Sequence, residues 1–266
     1  MTNREWDVYG AKAYTYFWDN SKEMRPKDKR PVVVVCPGGG YQFTSDREAE
    51  PIAIRFFGMG YHAVVLRYSV APVQYPTQLL QLGSLVKHLK AEADTYHIDP
   101  DKIFIIGFSA GGHLTASYGV FWDKEEPWNQ IGATKEELKP AGIMLSYPVI
   151  TSGEFAHHDS FKSLLGDKYE ELKDKMSLEK QNLENVPPVF MWTTFEDRLV
   201  PMENTLLFYG ALRKYNIPSE LHIYPHGPHG LALADKETSK EDGSMILEAC
   251  QSWIPLAQTW LENLCK

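Results

Sequence analysis

Unbroken apolar runs alternate with stretches of helical spacing through the middle of the chain. PVVVVC (31–36) is a β-branched run of the kind a strand covered on both faces requires. YHAVVLRY (61–68), KIFIIG (102–107), GIMLSYPVI (142–150), PVFMWTTF (188–195) and ELHIYPH (220–226) complete a set of strand candidates. Between them, QLLQLGSLVKHLKAEA (78–93) places Leu82, Leu85, Val86 and Leu89 on one helical face. ENTLLFYGALRKYN (203–216) does the same with Leu206, Leu207, Gly210 and Ala211, and ends in cations that suit a helix C-terminus. The last segment, SMILEACQSWIPLAQTWLENL (244–264), is also helical in spacing, and Pro255 is expected to kink it or to begin a second helix.

Strand and helix in alternation predict an α/β domain built on a parallel sheet. Residues 151–186 fit neither pattern: the stretch is polar, holds short helical pieces and offers no strand. We read it as an insertion after the fourth candidate strand, a small cap on a single domain spanning 1–266. No internal repeat or low-complexity segment interrupts the chain.

Composition narrows the function classes. The chain has 266 residues, 43% apolar and 23% charged, ordinary values for a globular enzyme-sized domain. Its formal charge of −8 and the lack of a basic stripe argue against nucleic acid as a partner. KEMRPKDKR (22–30) is the densest basic stretch and reads as a mixed-charge loop. The N-terminus lacks a secretory pattern, no apolar run is long enough for a bilayer, and Cys36, Cys250 and Cys265 are too scattered for a disulfide framework or a zinc site. These features lead us to expect a cytoplasmic protein with no membrane partner. They leave its assembly state open, a homo-oligomer included.

The candidate chemistry begins at GFSAGGHL (107–114), directly after KIFII. It matches the G-x-S-x-G turn in which a serine sits between a strand and a helix, with glycines making room for neighbouring backbone. The competing reading is a glycine-rich loop that cradles phosphate or packs a helix close to the sheet. A serine nucleophile needs donors for an oxyanion, and Cys36-Pro37-Gly38-Gly39-Gly40-Tyr41 follows the first strand candidate. The backbone N–H of Ala110, with one or both of Gly39 and Gly40, would serve. The loop has neither the G-x-G-x-x-G nor the G-K-[ST] pattern of a phosphate site.

A base and an acid must follow the serine in chain order. Of nine histidines, His222, His226 and His229 lie late enough. His222 alternates inside a strand, so PHGPHGLALA (225–234) supplies the base. His229, between Pro228 and Gly230, is the first choice and His226 its competitor. TTFEDRLVP (193–201) supplies the acid, Asp197 ahead of Glu196, although an acidic residue before a helix also serves as an N-cap. His113 is expected to pack locally, and His157 with His158 lacks a second ligand pair for a metal. No metal and no cofactor is expected.

Together these residues resemble a known family: α/β-hydrolase esterases described as acetyl esterases, acetylxylan esterases or endoxylanase-associated esterases. The resemblance runs from CPGGGYQFTSDREAEPIA through GFSAGGHL and EDRLVP to PHGPHGLALA. It implies an α/β-hydrolase fold, a mostly parallel eight-stranded sheet with helices on both faces. It also implies cofactor-free hydrolysis of short acyl esters of sugars. Carried over, Ser109 is nucleophile, Asp197 acid and His229 base, with Gly39, Gly40 and Ala110 at the oxyanion positions.

Pro37 stands where the wider hormone-sensitive-lipase-like group has the histidine of H-G-G-G, which places the chain in a P-G-G-G branch where acylated sugars are the expected substrates. Tyr41, Arg47 and Glu48 are candidates for substrate contact or support, and Arg47 with Glu48 could form a buried pair bracing the loop, a solvated charge pair being the ordinary reading. Tyr41, Phe43, Trp122 and Trp192 offer ring faces, with core filling the plainer reading for Trp192. Glycoside hydrolysis would need a matched pair of carboxylates across a cleft, which nothing in the sequence indicates. Two rivals remain: an amidase, peptidase or formamidase-like hydrolase, and a non-catalytic binding protein on the same fold.

Overall fold

The computed structural model describes residues 2–25 and 27–266. Residue 26, inside the mixed-charge stretch 22–30, therefore lies outside the described residues, as does residue 1. Eight strands form one sheet in the order β1-β2-β4-β3-β5-β6-β7-β8. They are β1 (Thr2–Val8), β2 (Ala11–Phe17), β3 (Arg30–Cys36), β4 (His62–Arg67), β5 (Ile98–Phe108), β6 (Gly142–Ser146), β7 (Val189–Thr194) and β8 (Ser219–Tyr224). Pairing is antiparallel for β1 with β2 and for β2 with β4, and parallel from β4 through to β8. The helices are α1 (Glu50–Gly58), α2 (Thr77–Ala91), α3 (Ala93–Tyr96), α4 (Ser109–Phe121), α5 (Lys135–Leu138), α6 (His158–Leu165), α7 (Tyr169–Leu172), α8 (Glu203–Lys214), α9 (Glu248–Gln251) and α10 (Trp253–Cys265).

The period of two along each buried strand divides the core into two layers. Val32, Val34, Ile103, Ile105, Ile143, Leu145, Val189 and Met191 pack with α2, α4 and α8. Val33, Val35, Phe104, Ile106, Met144, Phe190 and Trp192 pack with α1 and α10 on the other face. Continuous β-branched runs are thus explained: every position of the central strands faces helices. Pro255 is the third residue of α10, where its missing N–H costs nothing, so it belongs to the start of a second helix rather than to a kink.

Two features depart from the sequence reading, while a third, the 151–186 segment, has the short helices and lack of strand expected of it and packs more deeply than its composition suggests. The N-terminal hairpin is not among the strand candidates read from the residues. Its turn is Tyr9-Gly10, both at positive φ (51° and 76°), and β2 alternates buried with exposed positions over its first residues. The fourth strand stops at Ser146 rather than Ile150, because Tyr147 turns to φ 39° ahead of Pro148 and carries the chain beneath the serine turn. The insertion 151–186, polar in composition, sinks Phe161, Leu164, Leu165, Met176, Leu178 and Leu183 into the α2/α4/α8 layer. It is tied down by Leu178 N–H to the Ile150 carbonyl, Tyr75 N–H to the Leu164 carbonyl and the Asn204 amide to the Phe155 carbonyl.

Parallel strands of this order bring all their carboxyl ends to one rim, where α/β sheets bind ligands. The loops after β3, β5 and β7 and the loop after β8 carry the candidate residues. Beneath them Trp192 is fully buried, stacks on Trp253 at 5.3 Å between ring centroids and donates its indole N–H to Ser146 Oγ. Trp192→Ala is expected to cost about 3–5 kcal/mol of unfolding free energy, read from urea titration as a lower midpoint. An unchanged midpoint would mean that the two rings do not carry this layer.

Candidate active site

Strand β5 runs straight into α4, and Ser109 sits at the junction with φ 52°. A left-handed non-glycine residue costs of order 1–3 kcal/mol, and the surroundings must over-determine it. They do so through close backbone approach. A Cβ at Gly107 would lie 2.1 Å from the Gly111 carbonyl oxygen, and one at Gly111 would lie 2.1 Å from the Cys36 carbonyl oxygen. The strand of the glycine loop, the serine and the first turn of α4 therefore touch main chain to main chain. Any side chain at these two positions would push them apart.

The structure brings Ser109, His229 and Asp197 together. His229 Nε2 lies 2.8 Å from Ser109 Oγ, and His229 Nδ1 lies 2.6 Å from Asp197 Oδ2. Asp197 is an acceptor, so Nδ1 carries the proton and the Nε2 lone pair faces the serine hydroxyl. The other carboxylate oxygen, Oδ1, accepts from the N–H groups of Leu199 (3.0 Å) and Val200 (2.9 Å). The side chain of Asp197 has no solvent exposure and that of His229 only 12%, so the pair works at low dielectric. The helix N-cap weighed against an acidic role is not formed, since α8 begins at Glu203 without a side-chain cap; Asp197 uses one oxygen for the 197–200 turn and the other for the imidazole. Glu196 and His226 instead pair with each other at 3.0 Å on the surface, where the histidine side chain is 75% exposed. Glu196 also accepts from Gly227 N–H, and these two contacts lower its pKa.

Gly39 and Gly40 line the same cleft as Ser109 and His229, about 470 Å³ in volume. Both glycines have positive φ (126° and 64°), and a Cβ on Gly39 would strike the Phe43 carbonyl oxygen at 2.2 Å. Gln42 and Phe43 N–H groups close this turn onto the Gly39 carbonyl. Ala110 is the second residue of α4, in the first turn whose N–H groups have no partner within the helix.

Of the support candidates, Arg47 and Glu48 line the cleft and Glu48 braces the glycine loop, but the expected pairing between them is not formed. The Arg47 Nε–H donates to the Thr238 carbonyl, while buried Glu48 accepts from Gly38 N–H at 2.9 Å and from the Tyr147 hydroxyl at 2.8 Å. Adjacent residues on a turn point apart, and each found a partner on a different segment. Tyr41 is buried beneath the glycine loop at φ 59° and is no part of the cleft wall. Its hydroxyl meets His113 Nδ1 at 3.0 Å, and His113 Nε2 lies 2.9 Å from the Met176 carbonyl. A carbonyl can only accept, so Nε2–H donates there and Nδ1 accepts from Tyr41. His113 is thus a buried packing residue outside the Ser109–His229–Asp197 relay, and it joins the glycine loop to residues 151–186.

Phe43, 61% exposed, and Leu199, 54% exposed, are the apolar members of the rim. Gln42, His157, Asp159 and Lys240 add polar groups, the middle two from the insertion. Leu199, His157, Asp159 and Lys240 carry no signal in the sequence that separates them from other loop residues. Trp192 is core, and Trp122 lines a different cavity with its indole on the Asn185 carbonyl. Among the described residues there is no cluster of metal-ligating side chains, and no helix is long and apolar enough to cross a membrane.

The BD-FAE family model matches residues 20–212. Endo-1,4-beta-xylanase B of Butyrivibrio fibrisolvens is 39% identical over 214 residues, which cover 79% of this chain and 34% of that protein. Acetylxylan esterase of Xylanibacter ruminicola is 29% identical over 213 residues, covering 76% of this chain and 41% of that protein. The chain therefore spans well under half the length of these curated relatives. The solved structure of MGS-M1, an α/β hydrolase enzyme from a Medee basin deep-sea metagenome library, superposes with a TM-score of 0.78 at 35% identity, covering 99% of this chain and 98% of that one.

Burial pulls the His113 imidazole down from 6.5 to about 4, the Met176 contact opposing only in part. The unfolded chain binds this proton near pH 6.5 and the folded chain does not. The contribution is therefore intact above pH 6.5 and is lost as the pH falls towards 4, by about 3 kcal/mol in all. Buried His62, also drawn down to about 4, adds to the same trend. We expect the thermal midpoint to fall between pH 7 and pH 4.5, and to fall less in His113→Gln. Equal falls in both proteins would count against this assignment.

Proposed function

The chain belongs to the BD-FAE family of α/β-hydrolase-fold proteins, and on that premise we propose that it is a serine carboxylesterase removing acetyl or similarly small acyl groups from sugars or short oligosaccharides. The observation that carries this reading is the unbroken relay from Asp197 through His229 to Ser109, with both hydrogen-bonding distances below 3 Å. Ser109 Oγ forms a bond to the ester carbonyl carbon as its proton passes to His229 Nε2. The carbonyl electrons move onto oxygen, where N–H groups of Gly39, Gly40 and Ala110 receive them. When the tetrahedral species collapses, the bond to the sugar oxygen breaks and the imidazolium returns its proton to that oxygen. Water then repeats the sequence on the acyl-serine, with His229 taking its proton, and leaves a carboxylic acid and free enzyme. Asp197 holds the imidazole in the correct tautomer and offsets its charge when protonated.

The alcohol is the less constrained part of the proposal. A rim combining the exposed ring of Phe43 with Gln42, Asp159 and Lys240 suits a polyhydroxylated ring, with one face against the aromatic and hydroxyls against the polar groups. The acetylxylan esterase among the relatives points to acetyl as the acyl group. Residues 151–186 form the wall carrying His157 and Asp159, and we assign this segment the role of a fixed cap. Three free thiols suit a reducing compartment, and we place the enzyme in the cytoplasm, acting on small imported sugar esters.

Ser109→Ala should lower kcat/KM for p-nitrophenyl acetate by at least about a thousandfold and abolish labelling by a fluorophosphonate. Asp197→Asn should cost about ten-thousandfold in kcat. Wild-type turnover in Ser109→Ala would remove the mechanism, and preference for an aminoacyl-nitroanilide over the acetate would make the protein an amidase. Phe43→Ala should raise KM for acetylated xylo-oligosaccharides about tenfold with kcat retained, and a KM unmoved by that change would leave the ring without a role in binding.

A further inference from the structure

The glycine loop and the histidine loop come from distant parts of the chain, yet the chemistry proposed above needs them in register to within a fraction of an ångström. One buried chain of hydrogen bonds joins them. Glu48 Oε2 accepts from Gly38 N–H at 2.9 Å, immediately before the two glycines of the oxyanion position. Its other oxygen accepts from the Tyr147 hydroxyl at 2.8 Å, and that hydroxyl accepts from Ala232 N–H at 2.9 Å, three residues beyond His229. The Tyr147 ring also meets the imidazole edge-on, with centroids 5.0 Å apart.

The bridge is tightly built. Glu48 is 4% exposed and Tyr147 2%, and a Cβ at Gly38 would lie 2.6 Å from Glu48 Oε2. Only glycine lets the carboxylate reach that main chain. Among the described residues Glu48 is in no ion pair, and both of its hydrogen-bond donors, Gly38 N–H and the Tyr147 hydroxyl, are neutral. A carboxylate buried this way is an expensive means of filling space, and apolar atoms would do that more cheaply. Its two oxygens can, however, accept from two segments at once, which no apolar side chain can do.

We propose that Glu48 and Tyr147 are positioning residues, a strut that sets the distance between the oxyanion donors and the imidazole. The proposal rests on the esterase reading of the same site. It adds two residues that act through Gly38 and the 229–232 segment, although Glu48 also lines the cleft beside Ser109.

The test uses the full chain with Tyr147→Phe, Glu48→Ala and Glu48→Gln, each confirmed folded by circular dichroism and thermal midpoint. Tyr147→Phe and Glu48→Ala should each lower kcat for p-nitrophenyl acetate about ten- to a hundredfold while KM stays within about twofold. Glu48→Gln has one acceptor oxygen for two donors, so it can keep the Gly38 N–H contact while the Tyr147 hydroxyl proton loses its acceptor, and it should restore only part of the loss. The double variant Tyr147→Phe with Glu48→Ala should be no slower than Glu48→Ala alone, since both cut the same strut. Amide hydrogen exchange read on its own should quicken in both 38–41 and 229–234 when either residue is changed. Folded variants with wild-type kcat, or losses that multiply in the double variant, would overturn the strut. If wild-type protein turned over no ester, the esterase reading would fall, and unchanged exchange in both segments would then dismiss the strut as well.

Discussion

The contact on which the site depends is main chain against main chain at the end of β5. Gly107 touches the carbonyl of Gly111, and Gly111 touches the carbonyls of Cys36 and Pro37. That double approach forces the turn in which Ser109 takes a left-handed conformation. It also presses the glycine loop after β3 against the first turn of α4. Ser109 and the glycine loop are neighbours because β3 and β5 are paired in parallel and end together, at Cys36 opposite Gly107. A sheet with these strands apart would need long loops to achieve the same meeting, and long loops would pay in conformational entropy.

Around this contact, four buried polar side chains join segments. Asp197 links its own turn to the imidazole, and Glu48 links the glycine loop to Tyr147. His113 links Tyr41 to the insertion at Met176, and Asn204 Oδ1 receives the N–H groups of Ile150 and Thr151 where the fourth parallel strand gives way to that insertion. Each satisfies donors or acceptors that would otherwise be stranded away from water. Such groups act as fasteners between loops whose own backbone bonds cannot hold them, and they explain why a polar insertion lies fixed on the molecule.

Much of this was legible in the residues. The central strands announced themselves as β-branched runs because both their faces are covered, and the serine, acid and histidine stood in chain order after three of them. The hairpin of β1 and β2 escaped because it is an edge element, with half its positions polar, and its Tyr9-Gly10 turn is a weaker signal than Asn-Gly. Arg47 and Glu48 looked like a pair because they adjoin and carry opposite charges. Their partners, Thr238 and Tyr147, lie far along the chain, so no local pattern could name them. Tyr41 looked available to substrate for want of any mark that its loop folds inward.

What the amino-acid order determined by itself was local and periodic: which stretches extend, which coil, where a turn demands glycine, and which side chains have the chemistry of a nucleophile, an acid or a base. Period and steric exclusion act over a few residues, so they can be read without coordinates. Tertiary structure alone brought Asp197 and His229, rather than Glu196 and His226, to Ser109. In each pair both residues have the right chemistry, and only one points inward. That choice depends on the distances among β5, β7 and the loop after β8, which packing of the two core layers sets over spans of a hundred residues or so.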